Sequence, residues 1–516
     1  MIATIGRQVL SIASMATVAR ILGPGAYGIM AMAVLVLLLV SILRDLGTGT
    51  AIIQRPEVND RLLSSLFWLN FLSGLVIALT LIVASGLVAR FFKMPALVPI
   101  LCVLSSSFWL VSCGIVHNSL LMREMRFRTL AFCDLGAALI AYVTALACAL
   151  SGLGVWSLVL ANVTNSVVAT VCYWIAAGWR PNWAFDTAEL KSIMKFSLNL
   201  TGFVFLNYFN RNADNMIVGK FLGDAALGDY QMAYNLMLTP LQNVTSVVAQ
   251  ATFPSFSRIQ NDLQRFRSAF VRECMLVGII SFPMMAGLGV VAGPLILVVL
   301  GGKWVGAIRI FKVLAPVGLM QSVNSLVGQI YTARGRTDLM FRWSIFAVTV
   351  CVTAFLVGVR FHALGVAAAY CIVYFGILMY PGFVIPFRLI DLKFMDFTAA
   401  IFPQLLITLL MASGCFVWLQ GIKLIGINSP LFSLVTTSLL GLIAYVCMMV
   451  FLWPPVMGVL EGILGAYGNP GLKRIAGGVR RLAGSNAGKW FTCPAEIQHY
   501  LNTQTSLGNR APTNLE

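Results

Sequence analysis

The residues best placed to do chemistry lie in one apolar run, K-F-S-L-N-L-T-G-F-V-F-L-N-Y-F-N-R-N-A-D-N-M-I-V-G, at positions 195–219. Wound as an α-helix at about 100° per residue, Asn199, Asn207, Asn210, Arg211 and Asp214 share an arc of about 120°. Phe205, Phe209 and Met216 take the opposite side. In hydrocarbon such a polar stripe has to face protein or a water-filled cavity. An arginine at mid-membrane costs about 2.5–3.5 kcal/mol on insertion scales, so it needs a partner or a task. Asp214, three residues on, is within reach of Arg211. Two readings follow. The pair neutralises itself and braces neighbouring helices, or Arg211 faces a lumen and meets an anion.

The next apolar stretch carries Gln231, Asn235, Gln242 and Ser246 within about 60° of one another, which adds a second polar wall. A repeat supplies a third. R-I-L-G-P-G-A-Y-G-I-M-A-M-A from Arg20 and K-F-L-G-D-A-A-L-G-D-Y-Q-M-A from Lys220 match at an offset of 200, at Leu22/Leu222, Gly23/Gly223, Ala26/Ala226, Gly28/Gly228, Met32/Met232 and Ala33/Ala233. Arg7, Ser11 and Ser14 then correspond to Asn207, Arg211 and Asp214, and they too share a face. Arg7 and Arg211 would lie about one helical turn apart in depth. The substrate-binding candidates are therefore Arg7, Asn207, Asn210, Arg211, Asp214, Gln231, Asn235 and Gln242. Gln321, Asn324 and Gln329 either line another wall or bond to neighbouring helices.

The elements that must position these groups are transmembrane helices. Of 516 residues, 59% are hydrophobic and only 10% charged, and mean hydropathy is +0.89. So few charges cannot clothe a water-facing surface, so lipid is the solvent. The expected fold is an all-α integral membrane bundle of about fourteen spans, at 3–22, 26–43, 62–89, 94–118, 129–150, 153–177, 196–219, 228–253, 274–299, 306–332, 341–359, 363–387, 397–420 and 431–453. An even number of helices separates the two repeat segments, which makes the halves parallel repeats about an axis along the membrane normal. The division expected is an N-lobe of six helices (1–177), a cytoplasmic linker (178–195), a pseudo-symmetric C-lobe of six (196–387), an extra C-terminal helix pair (388–455) and a basic cytoplasmic tail (456–516). With both termini cytoplasmic, most of the 35 Lys and Arg fall inside, as the positive-inside bias demands. The inner clusters include Arg123/Arg126/Arg128 and Arg258/Arg265/Arg267/Arg272.

The net charge of +17 is scattered between apolar runs and makes no nucleic-acid face. Eleven cysteines without a Cys-x-x-Cys, and three distant histidines, imply neither a metal site nor a disulfide framework. Gly-x-Ser-x-Gly and Walker-type motifs are absent, and no outer loop is long enough for a catalytic domain. The chain reads as a transporter and not an enzyme. No cofactor is implied, and the sequence leaves the coupling ion open between H⁺, Na⁺ and none.

A-R-I-L-G-P-G-A-Y-G (19–28), L-R-D-L-G-T-G-T-A-I-I-Q-R (43–55), R-N-A-D-N-M-I-V-G-K-F-L-G-D-A-A-L-G-D-Y (211–230) and F-P-S-F-S-R (253–258) resemble Wzx-type polysaccharide flippases, within the superfamily that includes multidrug and toxin extrusion (MATE) transporters. The resemblance covers roughly residues 1–455. It implies a two-lobed bundle in the bacterial inner membrane that works by alternating access. The implied substrate is an undecaprenyl-pyrophosphate-linked oligosaccharide, moved from the cytoplasmic to the periplasmic leaflet for surface polysaccharide synthesis. Arg211 would bind the phosphate, with Arg7 assisting and Asp214 holding or releasing Arg211. Membrane lipids and polysaccharide polymerase or export machinery are the implied partners. The rival readings are a MATE-like drug exporter, which would favour acidic lumen residues, and a non-transporting scaffold of a glycan assembly complex.

Overall fold

The computed structural model describes residues 2–44, 48–54, 58–183, 208–209, 211–259 and 262–452. These residues are helical, with no strand among them. The helices are α1 (Ile2–Leu22), α2 (Pro24–Arg44), α3 (Thr48–Gln54), α4 (Asp60–Phe92), α5 (Leu97–Arg123), α6 (Phe127–Leu150), α7 (Trp156–Ala177), α8 (211–222) and α9 (Asp224–Arg258). They continue with α10 (Leu263–Val290), α11 (Ala292–Val299), α12 (Val305–Asn324), α13 (Gly328–Ala333), α14 (Thr337–Gly358), α15 (His362–Val373), α16 (Met379–Phe387), α17 (Phe394–Leu424) and α18 (Pro430–Leu452). Ten helical stretches among the described residues are long and apolar enough to cross a membrane. Each of the fourteen expected spans meets a helix, although only the end of span seven lies within the described residues.

Three spans are less simple than periodicity suggests. The ninth is divided at Val291 into α10 and α11, and α10 runs through Pro283 without ending there. The tenth carries Pro316 inside α12 and a short 3₁₀ turn before α13. The twelfth is interrupted by a π-helical turn, Tyr374–Leu378, between α15 and α16. The short helix α3 was not expected at all. Arg123 donates to the Ile52 carbonyl at 2.7 Å, and the buried Thr48 hydroxyl donates to Asn70 Oδ1 at 3.0 Å.

The chain groups into two compact units. The first comprises Met1–Met232, Val299–Ala307 and Phe355–Val366; the second comprises Ala233–Val298, Ile308–Ala354 and Ala367–Glu516. In the first, α4 lies along α5, α5 and α6 along α7, and α1 along α6. Many of the inward residues are small. Gly74, Ala78, Ser85 and Ala89 of α4 are buried, as are Ala137, Ala141, Ala145 and Ala149 of α6. Val76, Leu79, Val83 and Leu87 of α4 are exposed. Small faces let helix backbones approach closely where lipid supplies no hydrophobic contrast, and the bulky aliphatics go to the tails. In the second unit α10 packs along α17, and α17 along α18. Gln404 of α17 donates to the Met275 carbonyl there at 3.1 Å.

Candidate functional site

Of the eight sequence-derived site residues, five have described side chains. Asn207 and Asn210 lie outside the described residues, as does the side chain of Arg7 on α1. On α8, Arg211 is exposed and Asp214 is 6% exposed. The expected Arg211–Asp214 pair is not what the structure holds. Asp214 Oδ2 accepts from the Tyr230 hydroxyl at 2.9 Å, and Oδ1 accepts from the Asn215 backbone N–H at 2.8 Å. Tyr230 is fully buried. The carboxylate thus turns toward α9, where a buried phenol can satisfy it. Arg211 has no ion-pair or hydrogen-bond partner among the described residues. In this structure Asp214 is bonded to Tyr230 and the Asn215 N–H and not to Arg211. The charge on Arg211 remains available to something else.

Gln231 follows Tyr230 on α9, half-buried, with Oε1 unbonded among the described residues. Asn235 and Gln242, half-buried and exposed, sit farther along α9 in the second unit. Gln329 donates to Glu273 at 3.2 Å and so braces a neighbouring helix. Tyr208, which sequence reading passed over, donates to the Leu35 carbonyl of α2 at 2.6 Å and ties the start of this region down.

The repeat segments build the end of the first unit. Gly23 and Gly223, 200 residues apart, take φ +83° and +86° and end α1 and α8. This left-handed conformation is open to glycine at little cost and lets each chain turn straight into the next helix. Beyond the turns the two segments cross reciprocally. A methyl on Gly28 would occupy the place of the Asp224 carbonyl, and one on Gly228 the place of the Pro24 carbonyl. Pro24 and Asp224 are themselves repeat partners, so the contact is two-fold.

Two connecting segments seal this end. Lys303 donates to the Ile21 carbonyl at 2.7 Å and Trp304 Nε1 to the Ala19 carbonyl at 2.9 Å. These carbonyls lie in the last turn of α1, where that of Ala19 also accepts from the Gly23 N–H at 3.0 Å and a cation offsets the helix dipole. Asp229 accepts from the Ala307 backbone N–H at the start of α12, with its carboxylate laid over Gly306. At the repeat-equivalent place on α8, Phe92 packs on Gly219 and Lys220 Nζ stands 4.2 Å from the Phe91 ring centroid.

No three His, Cys, Asp or Glu side chains come together as metal ligands among the described residues. In the first unit, α8 and the start of α9 present an exposed guanidinium, a half-buried amide and a braced carboxylate.

The chain is 28% identical over 371 residues to the lipopolysaccharide biosynthesis protein WzxC of Escherichia coli (strain K12), covering 70% of this chain and 75% of WzxC. It is 26% identical over 328 residues to the succinoglycan biosynthesis transport protein ExoT of Rhizobium meliloti (strain 1021), covering 63% of this chain and 66% of ExoT. In fold it is similar to the lipid II flippase MurJ in an inward closed conformation, with TM-score 0.70, 14% identity, and 88% of this chain and 99% of MurJ covered. It is also similar to an inward-facing MATE family multidrug transporter, with TM-score 0.56, 15% identity, and 79% and 95% covered. The family profile described as "Polysaccharide biosynthesis protein" matches residues 17–309. The protein is a multi-pass membrane protein and belongs to this polysaccharide biosynthesis family.

Proposed function

We propose that the protein is a flippase of lipid-linked oligosaccharides. It moves an undecaprenyl-pyrophosphate-linked oligosaccharide from the cytoplasmic to the periplasmic leaflet of a bacterial inner membrane, with both termini in the cytoplasm. The observation that carries this reading is Arg211, an exposed guanidinium in an apolar helix whose neighbouring carboxylate is already taken by Tyr230. A cation left unneutralised at membrane depth is costly unless an anion visits it, and a guanidinium matches pyrophosphate oxygens bidentately. Arg7 would reinforce it from α1. Asn207, Asn210, Gln231, Asn235 and Gln242 would bond the sugar hydroxyls, and Asp214 would hold α8 against α9. The six-helix lobes related by the 200-residue offset would alternate access. Biosynthesis and transport roles in the names of the relatives favour this task over catalysis.

Arg211→Ala is expected to abolish surface polysaccharide in cells that depend on this protein, while Arg211→Lys keeps part of it. Normal polymer with Arg211→Ala at wild-type membrane abundance would remove the phosphate-binding role. Drug efflux by the wild type, with lipid-linked oligosaccharide left in place, would point to the MATE-like alternative.

A further inference from the structure

The second unit holds a carboxyl that the proposed binding site does not use. Glu273, ten residues into α10 and so about 15 Å along it, is 1% exposed. Its Oε1 accepts from the Thr252 hydroxyl of α9 at 2.5 Å and from Gln329 Nε2 of α13 at 3.2 Å. Glu273 Oε2 and Gln329 Oε1 are both buried with no protein partner among the described residues. α17 and α18 pack against α10 and bring further polar groups. Cys274 follows on α10, Tyr331 lies two residues beyond Gln329, α17 brings Gln404 and Thr408, and α18 brings Tyr445, whose hydroxyl donates to the Ile279 carbonyl. The cations on α10 are Arg272, half-buried beside it, and, nearer the helix start, Arg267, which donates to the Asp391 carbonyl, and Arg265, which pairs with Asp262.

This triad accommodates either protonation state. An ionised carboxylate accepts from Thr252 and from the amide N–H of Gln329. A protonated one donates its O–H to the amide oxygen once the carboxamide turns over, a turn that exchanges two groups of nearly equal outline.

We propose that Glu273, with Gln329 as its reversible partner, is the proton-carrying site that couples transport to a transmembrane pH gradient. The proton adds to a carboxylate oxygen from water on one side and leaves to water on the other, and no other bond changes. The proposal rests on the flippase reading for what is driven, but the site can be tested apart from it.

The first test reconstitutes the full chain in sodium-free liposomes with a short-chain polyprenyl-pyrophosphate oligosaccharide. The ratio of flipping rates with and without a pH gradient is measured. The expected ratio is severalfold for wild type and one for Glu273→Gln. A gradient response that survives in Glu273→Gln, or flipping by wild type that ignores the gradient, overturns the proposal. The second readout needs no transport: an acid-minus-neutral infrared difference spectrum of the purified protein. A protonated-carboxyl C=O band present in wild type, absent in Glu273→Gln and displaced in Thr252→Val, supports the site. The same band unchanged in Glu273→Gln, or undisplaced in Thr252→Val if Glu273→Gln fails to fold, overturns it. Wild type that shows the band yet flips nothing counts against the flippase reading and leaves the protonation site standing.

Discussion

Asp214 and Tyr230 show what a polar stripe does and does not disclose. The stripe itself was legible, because asparagines, an arginine and an aspartate recur at helical spacing in an otherwise apolar run. The partner was not, since Tyr230 lies sixteen residues on, across the Gly223 turn on another helix, where no periodicity links it to Asp214. Proximity in sequence favoured Arg211. Burial decided otherwise, because a carboxylate 6% exposed takes a donor as buried as itself. Tyr230→Phe should leave Asp214 one donor short and cost about 1–3 kcal/mol. Thermal denaturation in detergent should show the loss, and an unchanged midpoint would mean that the hydrogen bond contributes nothing net.

At the scale of the element, the glycines separate into two kinds. Gly28 and Gly228 are contact glycines, each pressed on the carbonyl at the head of the other's helix. Gly28→Ala therefore requires α2 and α9 to part, and is expected to destabilise by at least about 2 kcal/mol. Gly86, inside α4, has nothing within 4 Å of a built Cβ. Gly86→Ala should raise stability by about 0.5–1 kcal/mol, because alanine loses less entropy in a helix. Chemical denaturation of the two variants side by side checks the contrast, and equal effects would mean that the crossing is not tight. The matching glycines were visible in the sequence as a turn motif. That the two copies meet, carbonyl against glycine, was not, since a repeat gives equivalence and not contact. The breaks within spans nine and twelve were hidden for a similar reason: prolines were present, but α10 accommodates Pro283, and the chain divides at Val291 instead.

At the scale of the whole molecule, apolar length and charge distribution made the membrane class and the span order readable. Only packing reveals how Val299–Ala307 joins the first unit: Lys303 and Trp304 donate to carbonyls of α1, and Asp229 of α9 accepts from the Ala307 N–H. If the protein works by alternating access, this sealed end has to open in each cycle. Gly23 and Lys303 offer a way to hold it shut. A Cβ built on Gly23 lies 3.7 Å from Lys303 Cβ, within disulfide range. Gly23→Cys/Lys303→Cys should oxidise to a cross-link that stops transport, with activity returning on reduction; transport undiminished in the fully cross-linked protein would exclude opening there.

The central claim is that this chain carries a lipid-linked oligosaccharide across the bilayer. The most direct measurement is the leaflet distribution of that intermediate in cells lacking the protein, with and without a plasmid copy. The account predicts accumulation on the cytoplasmic leaflet and loss of surface polymer, reversed by the wild-type copy and not by Arg211→Ala. An unchanged distribution in the deletion strain, with polymer still reaching the surface, would contradict it.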